Sequence, residues 1–324
     1  MTAASRGAVF VPIELIIYIA RFLQPADIIN LLRAAKGLDK LLTSHHLNVK
    51  GDKDETIFHL IARDGDENLM KMFLGKCGIS SIIRDDTTQL HQAKTFGQVS
   101  RTGFLASTTF NINELDRHRE APLHWAAKQG HESIVKLLLD REDIKPDLEN
   151  NRYRTPLSLA AEQGHLPVVD LLLRQNEVNP NSKDYYDQTP LSFAAEHGHV
   201  SVVELLLQQD GIDADAETYD QDAAGRWLPQ DGGRTPLSFA AGNGHLAVVE
   251  LLVRRDVDAD SIDDSHRTPL WWAAKHGHLA VVEVLVRRGD VGVDFKDKCG
   301  RSPLSWAVAG GHQAVVELLV QMGC

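Results

Sequence analysis

Near copies of one twenty-residue segment, RTPLSFAAGNGHLAVVELLV at Arg234–Val253, return along most of this chain, and repetition at such a pitch restricts it to a stacked array. Phased on the residue before a Pro-Leu pair, the copies begin at Ala121, Thr155, Thr189, Thr235, Thr268 and Ser302, with spacings of 34, 34, 46, 33 and 34. Nine residues after each marker stands Gly-His: Gly130-His131, Gly164-His165, Gly198-His199, Gly244-His245, Gly277-His278 and Gly311-His312. The spacing of 46 is one period plus an insertion over about 217–232. Two weaker copies share the phase upstream: Thr56 with His59, Ala62 and Gly65, and Thr88 with Leu90, His91, Ala93 and Gly97. About eight repeats are therefore expected from residue 51 onward, starting near 54, 86, 119, 153, 187, 233, 266 and 300.

Each copy reads as two short helices and a turn. Thr155 or Thr189 supplies a capping hydroxyl, and Pro156 or Pro190 takes the first helical position, where no N–H is needed. Ala160-Ala161 lets a neighbouring helix approach, and Gly164 ends the helix as a residue free to adopt positive φ. The second helix, Val168-Val169-Asp170-Leu171-Leu172-Leu173, is apolar on more than one side, which only stacked neighbours can bury. The fold class is all-α, a solenoid of helix-turn-helix repeats with polar turns projecting between them.

These residues resemble the ankyrin-repeat family, closely over 121–324 and more loosely over 51–120. The chain departs from that family's Thr-Pro-Leu-His signature with Ser158, Ser192, Ser238 and Ser305, and with Trp271, in the fourth place. The resemblance implies a protein-binding scaffold in which turn tips and the first-helix row line one face.

Residues 1–50 stand apart from the repeat. Within 11–44, Pro12 and Glu14 suit a helix start, Pro25 suits a second start, and Gly37 suits a stop. The first helix would carry two apolar stripes, Ile13, Ile16, Ile17 and Ala20 against Leu15, Ile19, Phe22 and Leu23, and two stripes demand two partners. The segment resembles an F-box, on Pro12-Ile13-Glu14-Leu15, Ile19, Phe22-Leu23, Pro25, Asp27-Ile28, Leu31-Leu32 and Leu41-Leu42. That resemblance implies docking on the Skp adaptor of a cullin ubiquitin ligase through Pro12, Leu15, Ile16, Ile19, Phe22, Leu23, Ile28 and Leu31. The alternative is a helical cap on the end of the solenoid, in a scaffold without a ubiquitin role.

Charge and inventory exclude several functions. The net charge of -11 is uneven: residues 1–50 hold six basic and three acidic groups, leaving 28 against 42 in the array. A nucleic-acid groove, which needs clustered positive charge, is not expected. Cys77, Cys299 and Cys324 are far apart and lack metal or disulfide spacing, which fits the cytoplasm or nucleus. The apolar run Ala8–Leu23 is interrupted by Pro12, Glu14 and Arg21 and is too short to span a membrane. Most of the 15 histidines fall at fixed repeat positions, and His197 and His276 would lie on the inner helix row. No zinc spacing, phosphate loop or nucleophile elbow is present, and the acids of Asp256–Asp264 lack the order of a calcium loop. No cofactor, metal site or catalysis is expected.

Recognition is expected at the turn tips, where side chains change from copy to copy. The candidates for an unidentified target protein are Arg117, His118, Asn151, Arg152, Tyr185, Tyr186, Gln188, Asp264, Arg267 and Lys298, with Trp227 in the insertion. Tyr185-Tyr186 carries most weight, because exposed aromatics anchor interfaces at little entropic cost. Trp227 either covers the base of its own loop or meets the target. Arg154, Arg234, Arg267 and Arg301 share one phase, so they are either a preference of the turn or a row that accepts an acidic peptide. Val315, Val316, Leu318, Leu319 and Val320 look internal, which suggests a longer natural protein or a partner at that end.

Overall fold

The computed structural model describes residues 24–34, 50–77, 111–219, 232–255 and 257–323. Helices and turns, and no strand, occur among them. The chain clusters into two compact bodies, one running to Trp125 and taking in Lys136–Ile144, the other comprising Ala126–Val135 and everything from Lys145. The first contains α1 (Pro25–Ala34), α2 (Ile57–Asp64) and α3 (Glu67–Cys77), while α4 (Pro122–Gln129) and α5 (Glu132–Leu139) are divided between the two.

In the second body the helices come in pairs, one pair per repeat. They are α6 (Pro156–Gln163) with α7 (Leu166–Leu173), α8 (Pro190–Glu196) with α9 (Val200–Leu206), and α10 (Pro236–Gly242) with α11 (Leu246–Val253). Then follow α12 (Pro269–His276) with α13 (Leu279–Arg287), and α14 (Pro303–Ala309) with α15 (Gln313–Gln321). First helices stack on first helices, α6 on α8 and so to α14, and second helices on second. Helices this short are unstable alone, so the stack is what holds them. Its core is the predicted one: Ala160, Ala161, Val168, Val169 and Leu172 are fully buried, and so are Ala194, Ala195, Val203 and Leu206 one repeat on.

The caps form as the sequence requires. Thr155, Thr189, Thr235, Thr268 and Ser302 each accept, at the side-chain oxygen, the N–H three residues on, with Pro at the first helical position. The Gly-His pairs make a ladder between repeats. The His165 ring lies where a Cβ on Gly130 would stand, and its Nε2 pairs with the Lys128 carbonyl at 3.1 Å. His199, His245, His278 and His312 repeat this on Glu162, Glu196, Gly242 and Lys275, at 2.9 to 3.0 Å. Each glycine thus has two duties, a left-handed helix end and a seat for the next repeat's imidazole.

Tip-to-tip hydrogen bonds fix which repeats are neighbours. In the second body the N–H of Tyr185, Tyr219, Asp264 and Lys298 donates to the carbonyl of Arg152, Tyr186, Gly232 and Ser265, over 33, 33, 32 and 33 residues. In the first body the Arg117 N–H makes the same bond to Lys53 over 64 residues, and His59 Nε2 donates to the Glu120 carbonyl at 2.8 Å. The Thr56 and Ala121 repeats are therefore direct neighbours. Thr88, where a further repeat is expected, lies outside the described residues.

The residues that flank the insertion over about 217–232 belong to the tips. Tyr219 bonds to the tip before it and Gly232 to the tip after it, while the Thr218 N–H to Arg234 carbonyl bond closes the base. Trp227 lies between them, outside the described residues.

Candidate functional site

Five tips are organised by one acid or amide apiece. Asp116, Asn150, Asp184, Asp263 and Asp297 accept at Oδ1 the N–H groups two and four residues on, for example Tyr186 at 2.9 Å and Gln188 at 3.0 Å on Asp184. Burial pushes the Asp184 carboxyl above its usual range, while those two N–H groups and Arg154 pull the other way. The fourth tip residue takes positive φ in Asp54, Arg119, Tyr153, Asp187 and His266. This ring of bonds holds the intervening side chains outward.

Inward of the tips, the first-helix row is occupied by its own charges. Arg154 reaches Glu162 at 3.0 Å and Asp184 at 3.3 Å and lies 4.2 Å over Phe193. The Arg234 guanidinium lies 4.1 Å from both the Phe239 and Trp272 rings. Arg267 pairs with Asp263 at 2.7 Å and covers Trp272 at 4.4 Å, and Arg301 covers Trp306 at 4.1 Å while pairing with Asp297. Lys275 joins the column above Trp271, Trp272 and Trp306. Of the two readings of this arginine row, the geometry favours a preference of the turn, since an aromatic side chain or a carboxylate lies within reach of each guanidinium and engages it in internal cation–π contacts and ion pairs.

The sequence candidates separate accordingly. His118, Asn151, Arg152, Asp264 and Lys298 are exposed at the tips, and Tyr185 and Tyr186 are half-buried there. Arg117 is exposed but donates to the Asp52 carbonyl, a clamp between tips. Gln188 and Arg267 are corrected: only 8% and 9% exposed, they are core groups, Gln188 bonding Glu196 at 2.9 Å and Arg267 bound to Asp263. His197 Nδ1 donates to the Phe193 carbonyl at 3.0 Å and its ring stacks on His199, and His276 stacks on Trp272. Burial and the neighbouring Lys275 hold the His276 imidazole below its usual range. Among the described residues no group of three His, Cys, Asp or Glu could hold a metal ion.

Two tip residues escaped the sequence reading. Tyr153 is 52% and Tyr219 55% exposed. Tyr153 stacks on Tyr185 with centroids 6.3 Å apart, and Tyr185 meets Tyr186 edge to face at 5.3 Å. The signal was available, since Tyr219 follows Tyr185 by 34 residues, in the same phase.

Of the adaptor candidates, Pro12, Leu15, Ile16, Ile19, Phe22 and Leu23 lie outside the described residues. Leu31 is in α1, and Ile28 is fully buried with Ile29 inside the first body, where α1 packs on α2. Ile28 is thus a core residue and presents no surface to an adaptor.

A family model for ankyrin repeats in three copies matches residues 17–150, 123–220, 219–294 and 237–324. The chain belongs to the ankyrin-repeat family. It is a protein-interaction scaffold in that sense, and the match reaches back to residue 17, within the F-box-like segment. Over 90 residues the repeats are 36% identical to the human transient receptor potential cation channel subfamily A member 1, covering 26% of this chain. The chain spans only 8% of that protein's length, and the likeness is to that part alone. No helix among the described residues is long and apolar enough to cross a membrane.

Proposed function

We propose that this chain is a noncatalytic receptor whose projecting tips hold a target protein while its N-terminal segment docks the Skp adaptor of a cullin ubiquitin ligase. The observation that carries the target half is the division of labour among the side chains. The arginines of the first-helix row rest on rings and carboxylates of the array itself, whereas His118, Arg152, Tyr153, Tyr219 and Lys298 stand exposed on the tips. The adaptor half rests on the apolar pattern from Pro12 to Leu32.

A second reading, in which residues 11–44 cap the stack and the scaffold has no ubiquitin role, draws support from the burial of Ile28 and Ile29 where α1 meets α2. Capture of purified Skp adaptor separates them. The receptor reading expects capture by the wild type and loss in a Leu15→Asp, Ile19→Asp double variant of unchanged helicity. Equal capture by both proteins, or none by either, leaves the cap reading standing.

A further inference from the structure

Four of the five tyrosines of the chain gather on three successive tips. Main-chain bonds lock those tips together, Tyr185 N–H to the Arg152 carbonyl at 2.9 Å and Tyr219 N–H to the Tyr186 carbonyl at 2.8 Å. The fold does not ask for aromatics here. Where Tyr185 and Tyr219 stand, other tips carry Arg117, Asn151, Asp264 and Lys298, and where Tyr153 stands they carry Arg119, Asp187, His266 and Gly300. Tyr153 even holds its ring at φ 58, a left-handed conformation that bulky side chains disfavour, with half its surface in solvent.

The spacing matches one kind of ligand. Tyr185 and Tyr219 occupy equivalent places one repeat apart, and packed helices stand about 8–10 Å from their neighbours. A polyproline II helix advances about 3.1 Å per residue with three residues per turn, so residues three apart recur at nearly that interval on one face. Flat tyrosine rings receive proline faces, and their hydroxyls meet the solvated carbonyls of a helix without internal hydrogen bonds. Beside Tyr153 stands Arg152, exposed and with no carboxylate partner among the described residues, which gives one end of the strip a positive charge.

We propose that Tyr153, Tyr185, Tyr186 and Tyr219 form a docking strip for a proline-rich segment in the polyproline II conformation, oriented by an acidic residue that pairs with Arg152. The inference rests on the tips being the target-binding surface, and it names the class of target segment.

The test uses the full chain and a fluorescein-labelled peptide with a glutamate followed by two Pro-x-x-Pro turns, read by fluorescence anisotropy. Saturable binding is expected, weakened at least about tenfold by a Tyr153→Asn, Tyr219→Ser double variant, since exposed aromatics are the usual anchors. Exchanging the peptide's glutamate for lysine is expected to weaken binding to the wild type and strengthen it to Arg152→Glu. Adaptor capture is read on the same preparations, and circular dichroism checks their folding. No saturable binding by the folded wild type, equal binding of a peptide with glycine for proline, or indifference to the double variant overturns the strip. Adaptor capture retained through such a failure leaves the receptor reading intact, and adaptor capture lost while the peptide still binds sinks the receptor reading alone.

Discussion

Gly244→Ala tests the claim that the Gly-His ladder couples one repeat to the next. Gly244 has φ 74, and a Cβ there would lie 2.5 Å from His278 Nδ1 and 2.7 Å from its Cε1. Two costs follow. A left-handed alanine is about 1–2 kcal/mol less favourable than a right-handed one. Displacing the ring also breaks the 3.0 Å bond from His278 Nε2 to the Gly242 carbonyl, worth about 1 kcal/mol net, or more if the carbonyl stays dry. The total is about 2–3 kcal/mol.

Gly289→Ala is the control. Its φ of 77 imposes the same backbone strain, yet no atom lies within 4 Å of the new Cβ. Urea unfolding followed by circular dichroism should therefore show Gly244→Ala losing about 1 kcal/mol more than Gly289→Ala. Because the damage sits at one interface of a linear array, the transition should also broaden with a reduced slope. In a His278→Ala background the excess should vanish, since the ring is gone. Equal losses for the two glycines, or an excess that survives His278→Ala, would refute the ladder.

Three further changes probe the tips and the first body. Asp263→Asn keeps an acceptor for the Ser265 and Arg267 N–H groups but turns an amide toward Arg267 Nε at 2.7 Å and Trp272 Nε1 at 3.0 Å; thermal melts should show a loss of about 3–5 kcal/mol, and less than 1 would contradict the pairing. His59 accepts the Thr56 N–H at Nδ1, so Nε2 carries the hydrogen given to Glu120, and burial holds its pKa below 6.5 against the pull of Asp116 and Glu114. A depressed folded pKa means stability present above pH 6.5 and lost as pH falls below it, by up to about 1.4 kcal/mol per pH unit, a slope that His59→Leu should remove from melts at pH 7 and 5.5. Tyr153→Asn, relieved of a left-handed aromatic, should leave the melting temperature unchanged or higher; a loss above about 1 kcal/mol would make the ring a packing residue.

The parts of this fold legible in the sequence are those with a local cause. A Thr-Pro cap and a Gly helix end act within a few residues, so copies at fixed spacing announce them. Which repeats stand next to each other is decided by cross-repeat bonds such as Arg117 to Lys53, which no single copy displays. Gln188 and Arg267 failed for a related reason. Each lies one residue before its cap, at the rim, and its burial depends on Glu196 eight residues on or on a tip carboxylate turned inward.

The arginine row carries the functional consequence. Arg234 with Phe239 and Arg301 with Trp306 recur at a separation of five residues, and a guanidinium at that distance along the turn falls onto the ring. Arg154 finds Phe193 in the next repeat because its own repeat has Leu159 there. A groove whose cations already rest on its aromatics gains little by admitting an acidic peptide, which would have to replace contacts of equal kind. On the proposed reading recognition therefore falls to the tips, where Tyr153 and Tyr219 each leave about half their surface in solvent.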